Sequence, residues 1–316
     1  MQEKAQESIW VLGATGYVGK ALSLELLKDT NEKSLITCFG NRRVDLELME
    51  RSNLILNPLE ELEEHWLKRF PPKVIYHCAR LAGTSPKKRK EAALKGEKAN
   101  RRLIALLKKM EKPPVIVYCS GTLMYGPQSE EIDESAPLAP TAYAKQYAIA
   151  EQPWIEAQQE GILDVRMARP AWIFGPDSWF LHFFLKVAWE HGAVPYYGDG
   201  QQMMSLLPLG DCAGQLKHCY QEGEPGKDYN LYGFAPISQK EFAEAVARIM
   251  GLPTRNIPLE ECLKSFGETV TEALCSNIPV RTQHQAWKEK YQPYFQDLDS
   301  LLKTVIDKAA ALSPTS

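Results

Sequence analysis

The sequence predicts an α/β fold built on a doubly wound parallel sheet. Short apolar segments of strand type alternate with longer segments of helical periodicity. Such alternation requires parallel strands joined by right-handed crossovers. A turn rich in glycine separates the first strand from the first helix, which is typical of folds of this class. With 316 residues, the chain is long enough to bury a large core in one domain or in two lobes.

The composition is that of a soluble globular protein, with 44% hydrophobic and 24% charged residues. No apolar run approaches the roughly 18 residues of a membrane helix, and the polar residues 1–8 do not resemble a signal peptide. The seven cysteines include no C-x-x-C pair, and the sequence has no H-E-x-x-H motif. We therefore expect free thiols, no metal site and a cytoplasmic location.

The first strand and the first helix flank three glycines spaced three residues apart. Residues 9–12 form an apolar strand, and Gly13 permits the tight turn that follows it. Gly16 lets the backbone approach a pyrophosphate, and Gly19 lets the helix pack closely on the strand. The alternative is a turn that merely favours glycine, because the spacing differs from the more common G-x-G-x-x-G. We predict dinucleotide binding, with phosphate contacts from Gly13, Thr15, Gly16, Tyr17, Val18 and Gly19.

The end of the second strand favours NADP over NAD. Residues 35–39 form this strand, and no acidic residue follows it until Asp45. An acidic residue at the strand end would bind the adenosine ribose of NAD, whereas Arg42 can bind the 2′-phosphate of NADP. The alternative is that Arg42 and its neighbouring arginine are solvated turn residues. A short third strand then places Asn57 near the adenine.

Two further strands bring polar residues to the edge of the sheet where ligands bind. The strands cover residues 74–79 and 115–120. A predicted helix at 59–70 precedes the first of them, and another around 100–109 precedes the second. Ligands bind such sheets at the carboxyl ends of the strands. Arg80 could bind an anionic group of a substrate there, or it could cap a surface turn. The residues expected at this edge are Ala79, Arg80, Ser120 and Thr122.

A strongly basic segment precedes the fifth strand. Residues 87–112 contain eleven Lys and Arg against three Glu, so this segment carries +8 and the remainder −11 of a net charge of −3. The simplest interpretation is the solvated face of a helix with a basic approach loop. The alternative is a docking patch for an acidic partner or an anionic substrate. Nucleic acid is not favoured, because the rest of the chain is acidic and no nucleic-acid motif accompanies the patch.

Seven motifs follow one another along nearly the whole chain. They are G-A-T-G-Y-V-G at 13–19, V-I-Y-H-C-A at 74–79, C-S-G-T-L-M-Y-G-P at 119–127, P-T-A-Y at 140–143, R-P-A-W-I-F-G-P at 169–176, Y-G-D-G-Q at 197–201 and Y-N-L-Y-G at 229–233. In type and order they resemble the extended short-chain dehydrogenase/reductase family, the NAD-dependent epimerase/dehydratase group.

The resemblance implies a Rossmann-type sheet with a smaller C-terminal substrate-binding lobe. It places the dinucleotide-binding region in residues 1–171 and a mainly substrate-binding region in 172–316, with strands returning to the sheet around 206–232. It implies NADP, or else NAD, as the cofactor. To the glycine turn, Arg42 and Asn57 it adds Ala79, Asn100, Tyr143 and Pro170 as cofactor-binding residues.

Two of the three catalytic positions of that family are altered in this chain. The family uses a Tyr as proton donor or acceptor, a role that falls on Tyr143, and a Lys four residues later that holds the nicotinamide ribose and lowers the pKa of the Tyr. Tyr147 occupies the Lys position, and Lys145 lies about 200° around the helix from Tyr143. The family's Ser or Thr falls on Gly121. Ser120 or Thr122, which flank Gly121, could supply the hydroxyl instead. The alternative for Tyr143 is an ordinary helical residue without a catalytic role.

Substrate recognition departs from the family as well. Members that act on nucleotide sugars carry an Arg shortly after the Y-G-D-G segment, where it grips the diphosphate, and this chain has no basic residue there. Trp172 stands where these members often have Asn. Trp172 and Trp179 indicate an apolar pocket wall. The alternative is that the aromatic residues of 179–184 form the core stripe of one helix.

These observations predict an NAD(P)-dependent oxidoreductase that reduces a carbonyl of a small or apolar biosynthetic intermediate, with Tyr143 delivering the proton. A sugar-nucleotide epimerase or dehydratase is the alternative within the family. The changes at 121 and 147 favour a third function, a cofactor-binding protein that has lost redox catalysis and acts as sensor, scaffold or non-redox enzyme. We expect a small-molecule substrate, no nucleic-acid or membrane partner, and a homodimer as the assembly to test for.

Overall fold

The computed structural model describes residues 8–29, 35–41, 44–81, 83 and 86–312. Strands and helices alternate through the first half of the described chain, as the sequence predicts. The strands are β1 (Ser8–Leu12), β2 (Ile36–Gly40), β3 (Asn53–Leu56), β4 (Pro72–His77), β5 (Val115–Cys119), β6 (Val165–Pro170), β7 (Trp172–Phe174), β8 (Val194–Tyr197), β9 (Met203–Met204), β10 (Leu206–Pro208), β11 (Asp228–Leu231), β12 (Ile237–Ser238) and β13 (Thr254–Ile257).

The helices lie between these strands and in the C-terminal part of the chain. Short 3-10 turns at Leu59–Glu61 and Thr122–Met124 and a π-helical turn at Leu181–Leu185 supplement them. The α-helices are α1 (Tyr17–Leu26), α2 (Leu46–Arg51), α3 (Glu64–Arg69), α4 (Pro86–Leu107), α5 (Ala142–Glu160), α6 (Lys186–His191), α7 (Leu209–Gln221), α8 (Gln239–Met250), α9 (Leu259–Phe266), α10 (Glu268–Cys275), α11 (Gln285–Lys290) and α12 (Leu298–Leu312).

A seven-stranded parallel sheet in the order β11-β6-β5-β4-β1-β2-β3 forms the centre of the fold. The strand order reverses between β1 and β4, which pair in parallel. This reversal is the point at which doubly wound sheets bind ligands, beyond the carboxyl ends of their strands. The predicted fold class is therefore confirmed. Within 206–232, only β11 returns to this sheet, because β10 pairs with β7 instead.

Two helix predictions are wrong in extent. Residues 59–70 do not form one helix, because a 3-10 turn ends at Glu61 and α3 begins only at Glu64. The basic helix begins at Pro86, well before residue 100. Proline is favoured in the first turn of a helix, where its missing N–H is not needed. Gly96 lies inside this helix, where a Cβ would come within 3.2 Å of the Cβ of Ala150 on α5.

The chain divides into two compact units. The first comprises the described residues within Met1–Ser120, Lys145–Arg169 and Cys212–Tyr229. Its core is a cluster of large side chains that includes the fully buried Trp10 and Trp154. On its surface, Arg101 of the basic helix is paired with acidic side chains of α4 and α5. Part of the charge of the 87–112 segment is thus balanced locally, and docking of an acidic partner there stays a prediction.

The second unit comprises the described residues within Gly121–Ala144, Pro170–Asp211 and Asn230–Ser316. Small two-stranded sheets and α8 to α12 surround an aromatic core in which Phe174, Phe180, Phe184 and Phe242 are buried. Among the residues described in either unit, no helix has the length and apolar composition to cross a membrane. Nor does the described chain group three or more His, Cys, Asp or Glu side chains in a way that could hold a metal ion.

Two glycines with left-handed backbone allow the packing at the glycine turn to be tested. Gly13 and Gly161 have φ angles of +79° and +68°, but a Cβ would meet the backbone only at Gly13. We expect Gly161→Ala to lower the free energy of unfolding by about 1–2 kcal/mol, the cost of the left-handed conformation alone. Gly13→Ala adds an overpacking cost and should lose about 2–5 kcal/mol. Urea unfolding measures both, and equal losses would contradict the packing argument.

Candidate functional site

The glycine turn between β1 and α1 packs directly against the end of β4. A Cβ on Gly13 would lie 2.7 Å from the Cα of Ala79, and a Cβ on Gly19 would overlap the carbonyl oxygen of Gly13. Glycine is therefore required at both positions. A Cβ on Gly16 would have only that same oxygen near it, at 3.2 Å. The backbone at Gly16 is thus open to a ligand on its other side.

The N-terminus of α1 gathers groups that bind phosphate. Gly16 occupies the N-cap position, and no side chain of the described residues caps the helix. Helix geometry leaves the first-turn N–H groups, such as those of Val18 and Gly19, without acceptors inside the helix, and the helix dipole adds a partial positive charge. Lys20 follows in the same turn and forms a 2.7 Å ion pair with Asp45, whose pKa its hydrogen bond lowers.

The end of β3 offers a hydrogen-bond acceptor that has no partner among the described residues. The backbone N–H of Asn57 donates to the carbonyl oxygen of Gly40 at 2.9 Å, which fixes Asn57 beside the end of β2. Its side-chain Oδ1 is buried and unpaired within the described chain. Buried acceptors are normally paired, so a donor such as the amino group of adenine fits this position. Arg42 lies outside the described residues, and its contact with a 2′-phosphate stays a prediction.

A small cavity of about 20 Å³, enough for one water molecule, lies in the first unit between the ends of β4 and β5 and helices α4 and α5. These elements place both predicted and unpredicted polar side chains around one space. Residues 79–81 form the loop after β4, and Ala79 and Arg80 line the cavity there. The other polar side chains around it are Asn100, Tyr118, Cys119, Ser120, Tyr147 and Glu151.

The hydroxyl of Ser120 is committed to a buried ion network. It donates to Glu151 at 2.5 Å and accepts from Arg169 at 2.8 Å. Arg169 also pairs with Glu151 at 2.7 Å and with Asp228 at 3.1 Å. Since a hydroxyl has one hydrogen to donate, this arrangement does not favour Ser120 as a catalytic proton donor. The network itself was not anticipated, because its members lie on four separate segments without a shared motif.

Asn100 is also held by protein groups. Its Oδ1 accepts from Nε2 of His77 at 2.8 Å, and its Nδ2 donates to the carbonyl oxygen of Ala150 at 2.7 Å. Burial lowers the pKa of His77 to about 4, so the imidazole is neutral and can act as this donor. Asn100 thus ties β4, α4 and α5 together at the cavity wall, a supporting role that its sequence position did not indicate.

The ring of Tyr147 forms a cation–π contact with Arg80. The guanidinium carbon of Arg80 lies 4.0 Å from the centroid of the Tyr147 ring. Arg80 is exposed in the loop after β4, and its guanidinium packs on α5. Its contact with an anionic group of a substrate stays a prediction, and so does the surface turn. Tyr143 lies one turn earlier in the same helix and is half-buried. The hydroxyl of Thr141 accepts from the N–H of Ala144 at 3.2 Å, which fixes the start of this helix.

The altered third catalytic position has room for a Cβ. Gly121 has an extended backbone with a φ of 174°, which any residue adopts. A Cβ on Gly121 would meet nothing closer than the carbonyl oxygen of Pro170, at 3.8 Å. The missing hydroxyl at 121 is therefore not imposed by packing. Thr122, the flanking alternative, is buried at the start of a 3-10 turn.

Both tryptophans predicted to line a substrate pocket lie in the second unit and contact each other. The rings of Trp172 and Trp179 are edge to face with centroids 4.8 Å apart, and both are half-buried against the aromatic core. The indole N–H of Trp179 is buried and has no acceptor among the described residues. Phe180 and Phe184 are fully buried, so for them the core-stripe alternative is correct.

An open groove of about 1050 Å³ runs along the second unit. Its lining includes Asp199 and no Lys, Arg or His, which makes it a poor site for a diphosphate. The Y-G-D-G segment contributes to this wall, whereas the amide side chains from later in the chain could not be assigned to it from sequence. The polar lining residues are Ser129, Tyr196, Asp199, Gln201, Gln202, Asn256 and Asn277.

Comparison with known proteins agrees with this class of dinucleotide-binding α/β fold. Residues 9–231 match the model of the NAD dependent epimerase/dehydratase family. The chain belongs to this family. Two curated relatives, the epimerase family proteins Mb2239 of Mycobacterium bovis and MT2273 of Mycobacterium tuberculosis, are each 24% identical over 160 residues. The match covers 50% of this chain and 53% of each relative, so it spans about half of their length.

Solved structures share the fold over nearly the whole chain. The dTDP-glucose 4,6-dehydratase of Bacillus anthracis, in complex with NAD, superposes with a TM-score of 0.76 at 18% identity and covers 97% of both chains. UDP-glucuronic acid 4-epimerase of Bacillus cereus, with UDP-glucuronic acid and NAD, gives 0.76 at 18%, covering 97% of this chain and 100% of its own. The human epimerase family protein SDR39U1, with NADPH, gives a TM-score of 0.76 at 19% identity and covers 95% of this chain and 99% of its own. At these identities the similarity shows the fold.

The buried network around Ser120 predicts a large difference between two arginine substitutions. Arg169→Met leaves the buried Glu151 and the half-buried Asp228 without their cation and should lower the free energy of unfolding by about 3–5 kcal/mol. Arg248→Met is the control, because Arg248 pairs with Asp299 at the exposed surface and should cost less than about 1 kcal/mol. Urea unfolding compares them. Similar losses for the two variants would mean that the network contributes no more than a surface pair.

Proposed function

We propose that this protein binds a nicotinamide dinucleotide, NADP in preference to NAD, along the edge formed by β1 to β4. The observation that carries the proposal is the glycine turn, where packing allows no side chain at Gly13 and Gly19 while Gly16 stays open beside an uncapped helix N-terminus. The unpaired Oδ1 of Asn57 supplies the acceptor that an adenine amino group needs. Solved proteins of the same fold contain NAD or NADPH, which supports the same ligand class here.

We further propose that the reaction is reduction of a carbonyl, or the reverse oxidation, on a substrate that is not a nucleotide sugar. The nicotinamide, when bound, supplies the hydride. Tyr143 delivers the proton to the carbonyl oxygen of the substrate. The groove of the second unit, with Asp199 and no basic side chain, argues against a diphosphate-bearing substrate. The half-buried Trp172 and Trp179 favour a substrate with an apolar part.

The altered catalytic positions favour a second function, cofactor binding without redox catalysis. Tyr147 cannot supply the charge of a lysine, and Gly121 offers no hydroxyl although a side chain would fit there. Ser120 does not fill the gap, because its hydrogen is donated to Glu151. The first function requires Tyr143 for carbonyl reduction, whereas the second involves no redox turnover at all.

The cofactor preference is tested by titrating NADPH and NADH against the protein's tryptophan fluorescence. We expect tighter binding of NADPH, because a guanidinium at Arg42 pairs with the 2′-phosphate. Arg42→Ala should remove this preference by weakening NADPH about tenfold or more and leaving NADH unchanged, since a hydrogen bond to a charged group contributes about 1.5–3 kcal/mol. Arg43→Ala is the neighbouring control. A preference that survives Arg42→Ala refutes the assignment of the phosphate to Arg42.

The reaction class is tested with NADPH oxidation against a panel of small carbonyl compounds and, separately, nucleotide sugars. Tyr143→Phe should reduce turnover about 10²–10⁴-fold, the usual contribution of general acid–base catalysis, while the protein still binds NADPH. Gly121→Ser should raise turnover, because it returns a hydroxyl to a position with room for it. Tyr220→Phe, a tyrosine of α7, is the control. Carbonyl reduction that persists in Tyr143→Phe would overturn the role of Tyr143, and NADPH binding without any turnover would favour the second function.

A further inference from the structure

The position that holds a lysine in the family is occupied by a tyrosine whose ring is covered by an arginine. Arg80 follows β4, Tyr147 lies in α5, and the guanidinium carbon is 4.0 Å from the ring centroid. Both side chains line the same cavity at the carboxyl ends of β4 and β5. The stack thus brings a permanent positive charge to the position where the chain lacks an ammonium group.

The pair has the properties that the missing lysine would supply. A lysine offers donors for ribose hydroxyls and a positive charge. Tyr147 alone provides one donor and no charge, whereas a guanidinium provides five donors and stays protonated in proteins. A planar guanidinium on an aromatic ring is held in a fixed orientation, so little conformational entropy remains to be lost when it binds a ligand.

Glu151, the acidic side chain in the cavity wall, does not neutralise the charge of Arg80. Glu151 lines the same cavity, but its carboxylate is held by Arg169 and Ser120. None of the ion pairs among the described residues involves Arg80. Its charge acts on the cavity: besides a hydrogen bond from Cys78, the positive charge of Arg80 lowers the pKa of Cys119.

We infer that Arg80 and Tyr147 together replace the lysine of the family and hold the nicotinamide-ribose half of the dinucleotide. Arg80 supplies the charge and the donors, and the ring of Tyr147 supplies the platform that orients the guanidinium. The inference rests on the proposed function, because it assumes that a nicotinamide dinucleotide binds to this chain. It assigns to Arg80 a positioning role toward the cofactor in place of the substrate contact expected from sequence.

Two ligands separate this role from a general loss of structure. NADPH contains both halves of the dinucleotide, whereas 2′,5′-ADP contains only the adenosine half, which belongs at β1 to β3 by the proposed function. Arg80→Ala should weaken NADPH about ten- to a hundredfold, the range for a lost hydrogen bond to a charged group, and leave 2′,5′-ADP unchanged. Arg101→Ala, which removes an exposed ion-paired arginine of α4, is the matched control and should change neither affinity.

The outcomes distinguish the inference from the proposed function. If the unmodified protein binds neither ligand, the proposed function fails. If it binds both and Arg80→Ala changes neither affinity, or weakens both equally, the inference is overturned while cofactor binding stands.

A rescue variant tests the replacement directly. In the Arg80→Ala background, Tyr147→Lys returns an ammonium to the position where the family carries it and should recover most of the lost NADPH affinity. Tyr147→Leu in the same background removes the ring without adding a charge and should recover none. Recovery with Tyr147→Lys alone supports the inference. Equal affinities for the two double variants would mean that a charge at this position does not hold the cofactor.

Discussion

The fold depends on a contact that leaves no space for side chains. The turn after β1, the first turn of α1 and the end of β4 meet at Gly13, Gly19 and Ala79, within the distance that one Cβ would fill. This contact seats the helix N-terminus beyond the strand ends at the place where the strand order reverses. The phosphate-binding role that we propose for α1 thus follows from backbone packing, and no acidic or basic side chain is needed to create it.

Next to this edge, some charged side chains pair with one another inside the protein, whereas Arg80 does not belong to these pairs. Arg169, Glu151 and Ser120 satisfy one another inside the protein, which keeps a buried carboxylate from needing an external cation. Arg80 stays outside that network and packs on an aromatic ring. The wall of one small cavity therefore holds both a neutralised acid and an available cation.

Sequence predicted the parts of the molecule that depend on local pattern. The β1-turn-α1 unit and the parallel sheet follow from spacing and periodicity, whereas the burial of Phe180 and Phe184 was one of two alternatives that the sequence left open. The start of α4 at Pro86 and the break before α3 were missed, because proline and clustered glutamates occur both at helix starts and in turns. The role of Ser120 could not be predicted, since its partners lie 31 and 49 residues away. The stack of Arg80 on Tyr147 is likewise a tertiary contact between two separate elements.

The open space at Gly121 also bears on how such a site changes over evolutionary time. Because the backbone there is extended and a Cβ would meet only ordinary contacts, the hydroxyl can be lost or regained in a single substitution without an unstable intermediate sequence. The glycine turn has no such freedom, since a side chain at Gly13 or Gly19 disrupts the fold. Substitution at Gly121 is therefore open to selection, whereas the glycine turn is held constant by the stability of the fold.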